Sequence, residues 1–425
     1  MDKLVIEGGT PLRGEVRISG AKNAALPLLF ATLLHEGPSH IANLPRLQDV
    51  RTTLNLLIEL GVGVRRSDDG TAVLDAANLL SHEAPYDLVR RMRASVLCLG
   101  PLLARNGHAR VSLPGGCAIG ARPIDLHLQG LEALGATIEL AGGYVEATAP
   151  RGGLVGGRVL FDQVTVGGTE NLMMAAATAQ GKTTLENCAR EPEISDLAMA
   201  LRSMGAQITG DGTSIIEIEG IPKLGPMKHT VVPDRIEAGT YMAAAAITRG
   251  DVKLVGARLE HLDSLISKMA QAGVEVRREG NGLRVRHHGE LHAVDVQTRP
   301  YPGFPTDLQA QFMALMTVAQ GSSTVTESVF EKRFMHVPEL NRMGADIQTK
   351  DRTAFVRGVE SLHGAKVMAT DLRASATLVI GGLAAQGRTE VLRVYHLDRG
   401  YEAIEEKIGA LGGVIRRVPQ DWEDD

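Results

Sequence analysis

Aromatic residues make up only 3% of this 425-residue chain, so aliphatic side chains must fill its interior. Three cysteines, Cys98, Cys117 and Cys188, are too few and too scattered for a disulfide framework. Neither sign of charge dominates, and a formal net charge of -5 argues against a general nucleic-acid binder. No apolar run approaches a membrane span: MMAAATAQ and YMAAAAI are short and soon give way to Gly or charge. The N-terminal MDKLVIEGG lacks a signal-peptide pattern. Histidine and cysteine never cluster at metal-ligand spacing, and His287-His288 reads as an adjacent surface pair, so no metal or cofactor is expected. GxxxxGK(S/T) and strand-GxGxxG-helix fingerprints are missing too, which leaves nucleotide-triphosphate and dinucleotide readings weak. These absences together predict a soluble cytoplasmic protein, and its length predicts two domains.

What is present is a repeat. Apolar helix-like runs end at Gly37, Gly107, Gly181, Gly250, Gly321 and Gly387, with spacings of 70, 74, 69, 71 and 66 residues. A second set of helix endings, from IELGVGV to GALGGVI, places Gly61, Gly135, Gly205, Gly273, Gly344 and Gly412 at the same period. The fifth copy is the clearest: AVDVQT, TDLQAQFMALMTVAQG, STVTES, HVPELNRMG, ADIQT and TAFVRG read as β-α-β-α-β-β, with Gly as the helix C-cap. The sixth copy stops before its last strand, and LVIEGG at the N-terminus has the character to supply it. The chain is then expected to cross between domains twice, near Ser19–Ala21 and near Val232–Pro233. That puts residues 22–232 in one domain and 1–21 with 233–425 in the other, with the active site in the cleft between them.

The first helix of each copy is nearly all apolar and therefore buried on every side, exposing only its N-terminus, where anions bind well. Those starts are Ala21-Lys22-Asn23, Arg93-Ala94-Ser95, Gly167-Gly168-Thr169, Asp234-Arg235, Thr306-Asp307 and Asp371-Leu372-Arg373. Ordinary N-capping is one reading of Asp307 and Asp371. A cation is locally unfavourable there, so Lys22 and Arg93 call for another reason, which an anionic ligand would supply. Ser112 to His127 (SLPGGCAIGARPIDLH) forms a glycine-containing loop with the character of a lid, carrying Cys117 five residues before Arg122. A thiol near cations can serve as acid or nucleophile, and the alternative is an incidental loop cysteine. Cys98 and Cys188 read as core or neutral positions. Arg333 and Arg399 each lie 12 residues after a repeat glycine, and Arg190 lies nine after its own. Guanidiniums converging on one cleft suit phosphate or carboxylate, whereas a lone arginine is usually a solvated surface residue. Asp307 has the chemistry of a general base. From the residues alone, the chain is a two-domain enzyme closing on an anionic substrate.

SGAKNAALP, RRMRAS, LPGGCAIGARPIDLH, AREPEI, PDRIEAGT, FPTDLQAQF, EKRFMHVPEL, MATDLRAS and YHLDRGYE together closely resemble the UDP-N-acetylglucosamine enolpyruvyl transferase family, over essentially the whole chain. The resemblance implies the inverse α/β barrel, two domains of three β-α-β-α-β-β units with helices inside and sheets outside. It implies transfer of the enolpyruvyl group of phosphoenolpyruvate to the 3′-hydroxyl of UDP-N-acetylglucosamine, with phosphate released through a tetrahedral ketal, at the committed step of peptidoglycan synthesis. Cys117 resembles the lid cysteine that protonates the methylene carbon, forms a covalent adduct, and would be alkylated by fosfomycin. Asp307 resembles the residue that takes the sugar hydroxyl's proton. Lys22, Asn23, Arg122 and Arg399 would hold phosphoenolpyruvate or its phosphate, with Arg333 near the substrate carboxylate. Arg93, Arg122, Pro123, Ile124, Asp125, Leu126, Thr165, Val166, Gly167 and Val329 would line the UDP-sugar pocket, and Asp371 and Arg373 would stand just behind the cleft. Gln48 departs from the pattern where the family often has a basic UDP contact, with Arg46 two residues earlier. The same-fold alternative is a shikimate 3-phosphate enolpyruvyl transferase, whose family has no such cysteine lid. A non-catalytic UDP-sugar sensor is the alternative from another class.

Overall fold

Each copy of the repeat becomes one four-stranded sheet in the computed structural model, which describes residues 2–90, 92–113 and 124–420. All six sheets have the same order, first-second-fourth-third in repeat terms, with a parallel pair at one edge and antiparallel pairs elsewhere. Three sheets are completed by strands from elsewhere in the chain. Asp2–Glu7 lies between Arg388–Leu392 and Val414–Pro419 and fills the place that the sixth copy lacks. Arg13–Arg17 pairs in parallel with Asp251–Val255 as the first strand of the fourth copy. Lys228–Thr230 pairs in parallel with Pro38–Ala42 as the first strand of the first. These last two strands lie just before the points where the chain changes unit, and their pairing across the sequence is not revealed by local pattern.

Two compact units result. Residues up to Ser19 and from Pro233 onward form the terminal unit, and the described residues from Gly20 to Val232 form the central unit. At the changeovers, Asp234 N–H donates to Ser19 O at 2.8 Å in the terminal unit, and Ala21 N–H donates to Val232 O at 2.7 Å in the central one. Each unit has its own apolar core.

The inner helices are Lys22–Ala31, Leu99–Asn106 and Val166–Ala176 in the central unit, and Arg235–Ile247, Gln309–Met316 and Leu372–Ala384 in the terminal unit. Every residue of Arg235–Ile247 and Gln309–Met316 is buried, as an all-round apolar pattern requires. Each fully buried Leu or Met contributes about 2 kcal/mol by area removed from water. The expected helix from Arg93 is a 3-10 turn, Arg93–Cys98, before the α-helix starts at Leu99. Cys98 and Cys188 are core thiols, both pushed up to about 12 by burial.

The two glycine series have distinct jobs. Gly61, Gly135, Gly205, Gly273, Gly344 and Gly412 all have φ between 88° and 103°, the left-handed C-cap that side chains resist. In the other series the glycine carbonyl accepts from the residue that follows the closing hairpin. Ala76, Ala149, Gly220, His287 and Gly358 donate this bond within their copies, and Gly8 donates it to Gly387 O at 3.2 Å. At the fourth copy the left-handed residue is Arg249, with φ 51°, and Gly250 is required for space: a Cβ there would lie 2.4 Å from Leu12 O.

Candidate active site

The polar heads of the inner helices hold most of the residues singled out from sequence. In the terminal unit Asp307 is not an N-cap. Its Oδ1 lies 2.8 Å from Arg333 Nη2 and its Oδ2 3.1 Å from Arg373 Nη2. Both guanidiniums are almost fully buried, at 5% and 2% exposure, while the Asp307 side chain is 24% exposed. The cluster therefore presents a carboxylate of fixed orientation backed by two cations, a net positive charge in a poorly solvated place.

A hydrogen-bond chain holds that arrangement. Arg333 Nη1 donates to Thr306 Oγ1 at 2.9 Å, and Thr306 donates to Glu327 Oε2 at 2.9 Å. Glu327 is fully buried, and its Oε1 accepts from Thr298 Oγ1 and from the backbone N–H groups of Val329 and Phe330. On the other side, the Arg373 guanidinium lies 5.4 Å from the Tyr401 ring centroid, and Tyr401 Oη sits 2.9 Å from Thr240 Oγ1. Gln311 Nε2 reaches Thr240 Oγ1, Tyr401 Oη and Asp307 O. Burial opposes the charge on Arg373, but Tyr401 and Asp307 outweigh it and hold its pKa above the ordinary value. Its Nη1 has no hydrogen-bond partner among the described residues. Asp371 is an N-cap, accepting from the N–H groups of Arg373 and Ala374. His336, behind the cluster, is lowered to about 4 by burial, with Arg333 adding to the effect.

The central unit treats its helix heads differently. Lys22 Nζ is 2.8 Å from Asp49 Oδ2, with side-chain exposures of 12% and 4%. A buried carboxylate thus supplies a local reason for this lysine, beside the one that a ligand would supply. Asn23 follows it, half-buried. Thr165 caps its helix, accepting from Gly168 N–H at 3.2 Å, with Val166 and Gly167 as the first helical residues. A Cβ on Gly167 would come within 3.2 Å of His127 Cε1. His127 is lowered to about 4, by burial and then by Arg93. Asn171 Oδ1 accepts from Gly100 N–H, so its Nδ2 faces His127 Nδ1 at 3.0 Å and donates to it. His127 is thereby fixed as neutral, with Nδ1 the acceptor.

Ile124 is buried, Asp125 opens the helix Asp125–Ala133 exposed to solvent, and Leu126 is half-buried. Arg399 ends the turn Val394–Arg399, and Val329 is held by Glu327. Cys117, Arg122 and Pro123 lie outside the described residues. Gln48 is exposed, and Arg46 is engaged by Asp68 at 3.4 Å. Arg190 is a surface residue, bonded to Gly212 O. His287 is not the surface residue that its neighbour is: it is 2% exposed, with Nδ1 3.2 Å from Gly273 O. Sequence reasoning missed Asp49, Glu327, Gln311, Tyr401 and the His127–Asn171 pair. Polar residues inside otherwise apolar inner helices, as with Asn171 and Gln311, are the signal that would have found two of them. Among the described residues no His, Cys, Asp and Glu group is placed to hold a metal, and no helix is long and apolar enough to cross a membrane.

Residues 6–408 match the EPSP synthase (3-phosphoshikimate 1-carboxyvinyltransferase) family. The UDP-N-acetylglucosamine 1-carboxyvinyltransferase of Trichlorobacter lovleyi is 59% identical over 420 residues, covering 99% of this chain and 100% of that one. The enzyme of that name from Rhodospirillum centenum is 59% identical over 428 residues, covering 98% and 99%. Among solved structures, the enolpyruvyl transferase NikO from Streptomyces tendae superposes with a TM-score of 0.86 at 28% identity, covering 98% of each chain. EPSP synthase from Acinetobacter baumannii superposes at 0.75 with 19% identity, covering 99% of this chain and 100% of that one, a likeness of fold.

Proposed function

The chain belongs to the UDP-N-acetylglucosamine 1-carboxyvinyltransferase family, and from that premise we infer that it joins phosphoenolpyruvate to the 3′-hydroxyl of UDP-N-acetylglucosamine. Inorganic phosphate is released, and the product enters peptidoglycan synthesis in the cytoplasm. The observation that carries the reading on the structural side is the Asp307 carboxylate held between Arg333 and Arg373 at the head of a buried helix. A hydroxyl meeting that carboxylate finds an oriented proton acceptor, and an anion finds two buried guanidiniums.

In the reaction we propose, the sugar oxygen adds to C2 of phosphoenolpyruvate while Asp307 takes the hydroxyl proton. Cys117 gives a proton to the methylene carbon, so the first product is a tetrahedral ketal that keeps the phosphate. Loss of a proton from the new methyl group then expels the phosphate and restores the carbon–carbon double bond. Lys22, Asn23, Arg122 and Arg399 bind phosphoenolpyruvate and the departing phosphate, and Arg333 serves the carboxylate. Arg93, Arg122, Pro123, Ile124, Asp125, Leu126, Thr165, Val166, Gly167 and Val329 bind the UDP-sugar. Asp371 supports this by capping the helix that carries Arg373. Fosfomycin, an epoxide analogue of phosphoenolpyruvate, alkylates Cys117 in this reading.

The deciding experiment is phosphate release, with wild type beside Cys117→Ala. Turnover is expected only with phosphoenolpyruvate and UDP-N-acetylglucosamine together, and normal turnover is lost in the variant while the fold stays intact. Release with shikimate 3-phosphate in place of the UDP-sugar would favour the same-fold alternative, and full activity in Cys117→Ala would remove the thiol from the acid role. Mass spectrometry after fosfomycin treatment is expected to show one adduct, on the peptide containing Cys117.

A further inference from the structure

The Glu327 carboxylate is fully buried, and donors meet both of its oxygens. Oε1 accepts from the Thr298 hydroxyl at 2.7 Å, from Val329 N–H at 2.8 Å and from Phe330 N–H at 3.0 Å. Oε2 accepts from the Thr306 hydroxyl at 2.9 Å. Thr306 has a single proton to donate and directs it at Glu327, so a lone pair of its oxygen is left for Arg333 Nη1, which can only donate. The polarity of that hydroxyl is therefore set by Glu327. With it goes the anchorage of the guanidinium whose Nη2 lies 2.8 Å from Asp307 Oδ1. Phe330, held at its N–H by Glu327, also braces the same arginine, whose guanidinium carbon lies 5.5 Å from the Phe330 ring centroid.

We propose that Glu327 is a positioning residue for the reaction: its negative charge polarises Thr306, and Thr306 anchors Arg333 against Asp307. The proposal rests on the enolpyruvyl-transfer reading, in which Asp307 takes the sugar hydroxyl's proton. Glutamine is close to glutamate in shape, but only one of its two terminal atoms accepts. In Glu327→Gln the amide oxygen is required at the Oε1 position, where three donors converge, so the NH2 group faces Thr306. The Thr306 oxygen then accepts from the amide as well as from Arg333, and its own proton loses its acceptor. The contact to Arg333 also loses the polarisation that a carboxylate behind it supplies. Val329 and Phe330 keep their acceptor oxygen, so the damage is directed at the Arg333–Asp307 pair.

The test is steady-state phosphate release by full-length Glu327→Gln, Thr306→Val and the double variant, with thermal unfolding measured on each. In each single variant kcat is expected to fall by about tenfold, with KM for the UDP-sugar within about threefold of wild type. The double variant should be little worse than the slower single one, because both substitutions cut one path. Wild-type kcat in Glu327→Gln, losses that multiply in the double variant, or a kcat loss that only follows the loss of folded protein would overturn the proposal. Thr306→Val carries the same kinetic test if Glu327→Gln does not fold. A second readout needs no turnover: carbon-13 labelling of aspartate side-chain carboxyls, with Asp307 assigned by Asp307→Asn. Arg333 and Arg373 are the cations shown against this carboxylate, and a loosened Arg333 favours its ionised form less. The Asp307 titration midpoint is therefore expected to lie at higher pH in Glu327→Gln and Thr306→Val than in wild type, and an unchanged midpoint would overturn the proposal. Wild-type protein that releases no phosphate would instead sink the enzymatic reading, so the two fail separately.

Discussion

The central and terminal units share strand order, an inner-helix trio and glycine caps, yet they manage charge at the helix ends in opposite ways. At the heads, the central unit pairs Lys22 with the buried Asp49. The terminal unit sets one carboxylate, Asp307, against two buried guanidiniums. At the tails, the Arg105 guanidinium of the central unit donates to Leu33 O, His35 O and Ala76 O, while the terminal unit has a cavity of about 250 Å³ there. The apolar helix bodies fix the fold in both. Their ends carry unsatisfied backbone groups that side chains can complete in several ways, so the ends are free to diverge.

Removing the odd carboxylate should have the largest effect. Asp307→Asn keeps the shape but loses the acceptor, and phosphate release is expected to fall by about a thousandfold. Asp307→Ala also leaves Arg333 and Arg373 uncompensated, at a cost of about 2–4 kcal/mol in denaturant unfolding. Wild-type turnover in either variant would take Asp307 out of the chemistry.

Protonation sharpens the comparison, because each unit buries a histidine lowered to about 4 against an ordinary 6.5, His127 in the central unit and His336 in the terminal one, where burial lowers His287 as well. The unfolded chain binds the proton first. Stability is therefore full above pH 6.5 and drains as pH falls towards 4, by up to about 3 kcal/mol per histidine. His127→Gln should make that pH slope shallower in unfolding experiments between pH 4 and 7. An unchanged slope would show that His127 is not held neutral.

The smallest expected effect lies at the tails. Arg105→Met keeps the stem and deletes three donated hydrogen bonds, which should cost about 2 kcal/mol. A cost near zero would mean that water replaces the guanidinium, and that the two tails are less different than they look.

Much of the fold was legible because two glycine markers and the all-apolar helix runs repeat in register. The β-α-β-α-β-β order and the sixfold count follow from that. The exchanged first strands, Arg13–Arg17 and Lys228–Thr230, were not legible, since short strands pair according to where the chain returns in space. Of the candidate site, Asp307, Arg333 and Arg373 were singled out from motif and position, but their mutual pairing was not. Asp307 had an equally good local explanation as a helix cap, and only a partner 66 residues away along the chain excludes it. Asp49 and Glu327 were missed because a carboxylate in an amphipathic helix or at a strand end looks solvated until its burial is known.

By itself the sequence determined the repeat, the buried helices and the family, because hydrophobic period, glycine placement and specific motifs are local properties of the chain. Tertiary structure alone decided which charges meet: Lys22 with Asp49, Asp307 with two arginines, and Arg105 with three carbonyls. The physical reason is range. Backbone preference and burial pattern act within a turn or a strand, whereas a charge in a poorly solvated place takes its meaning from partners that folding brings within about 3 Å.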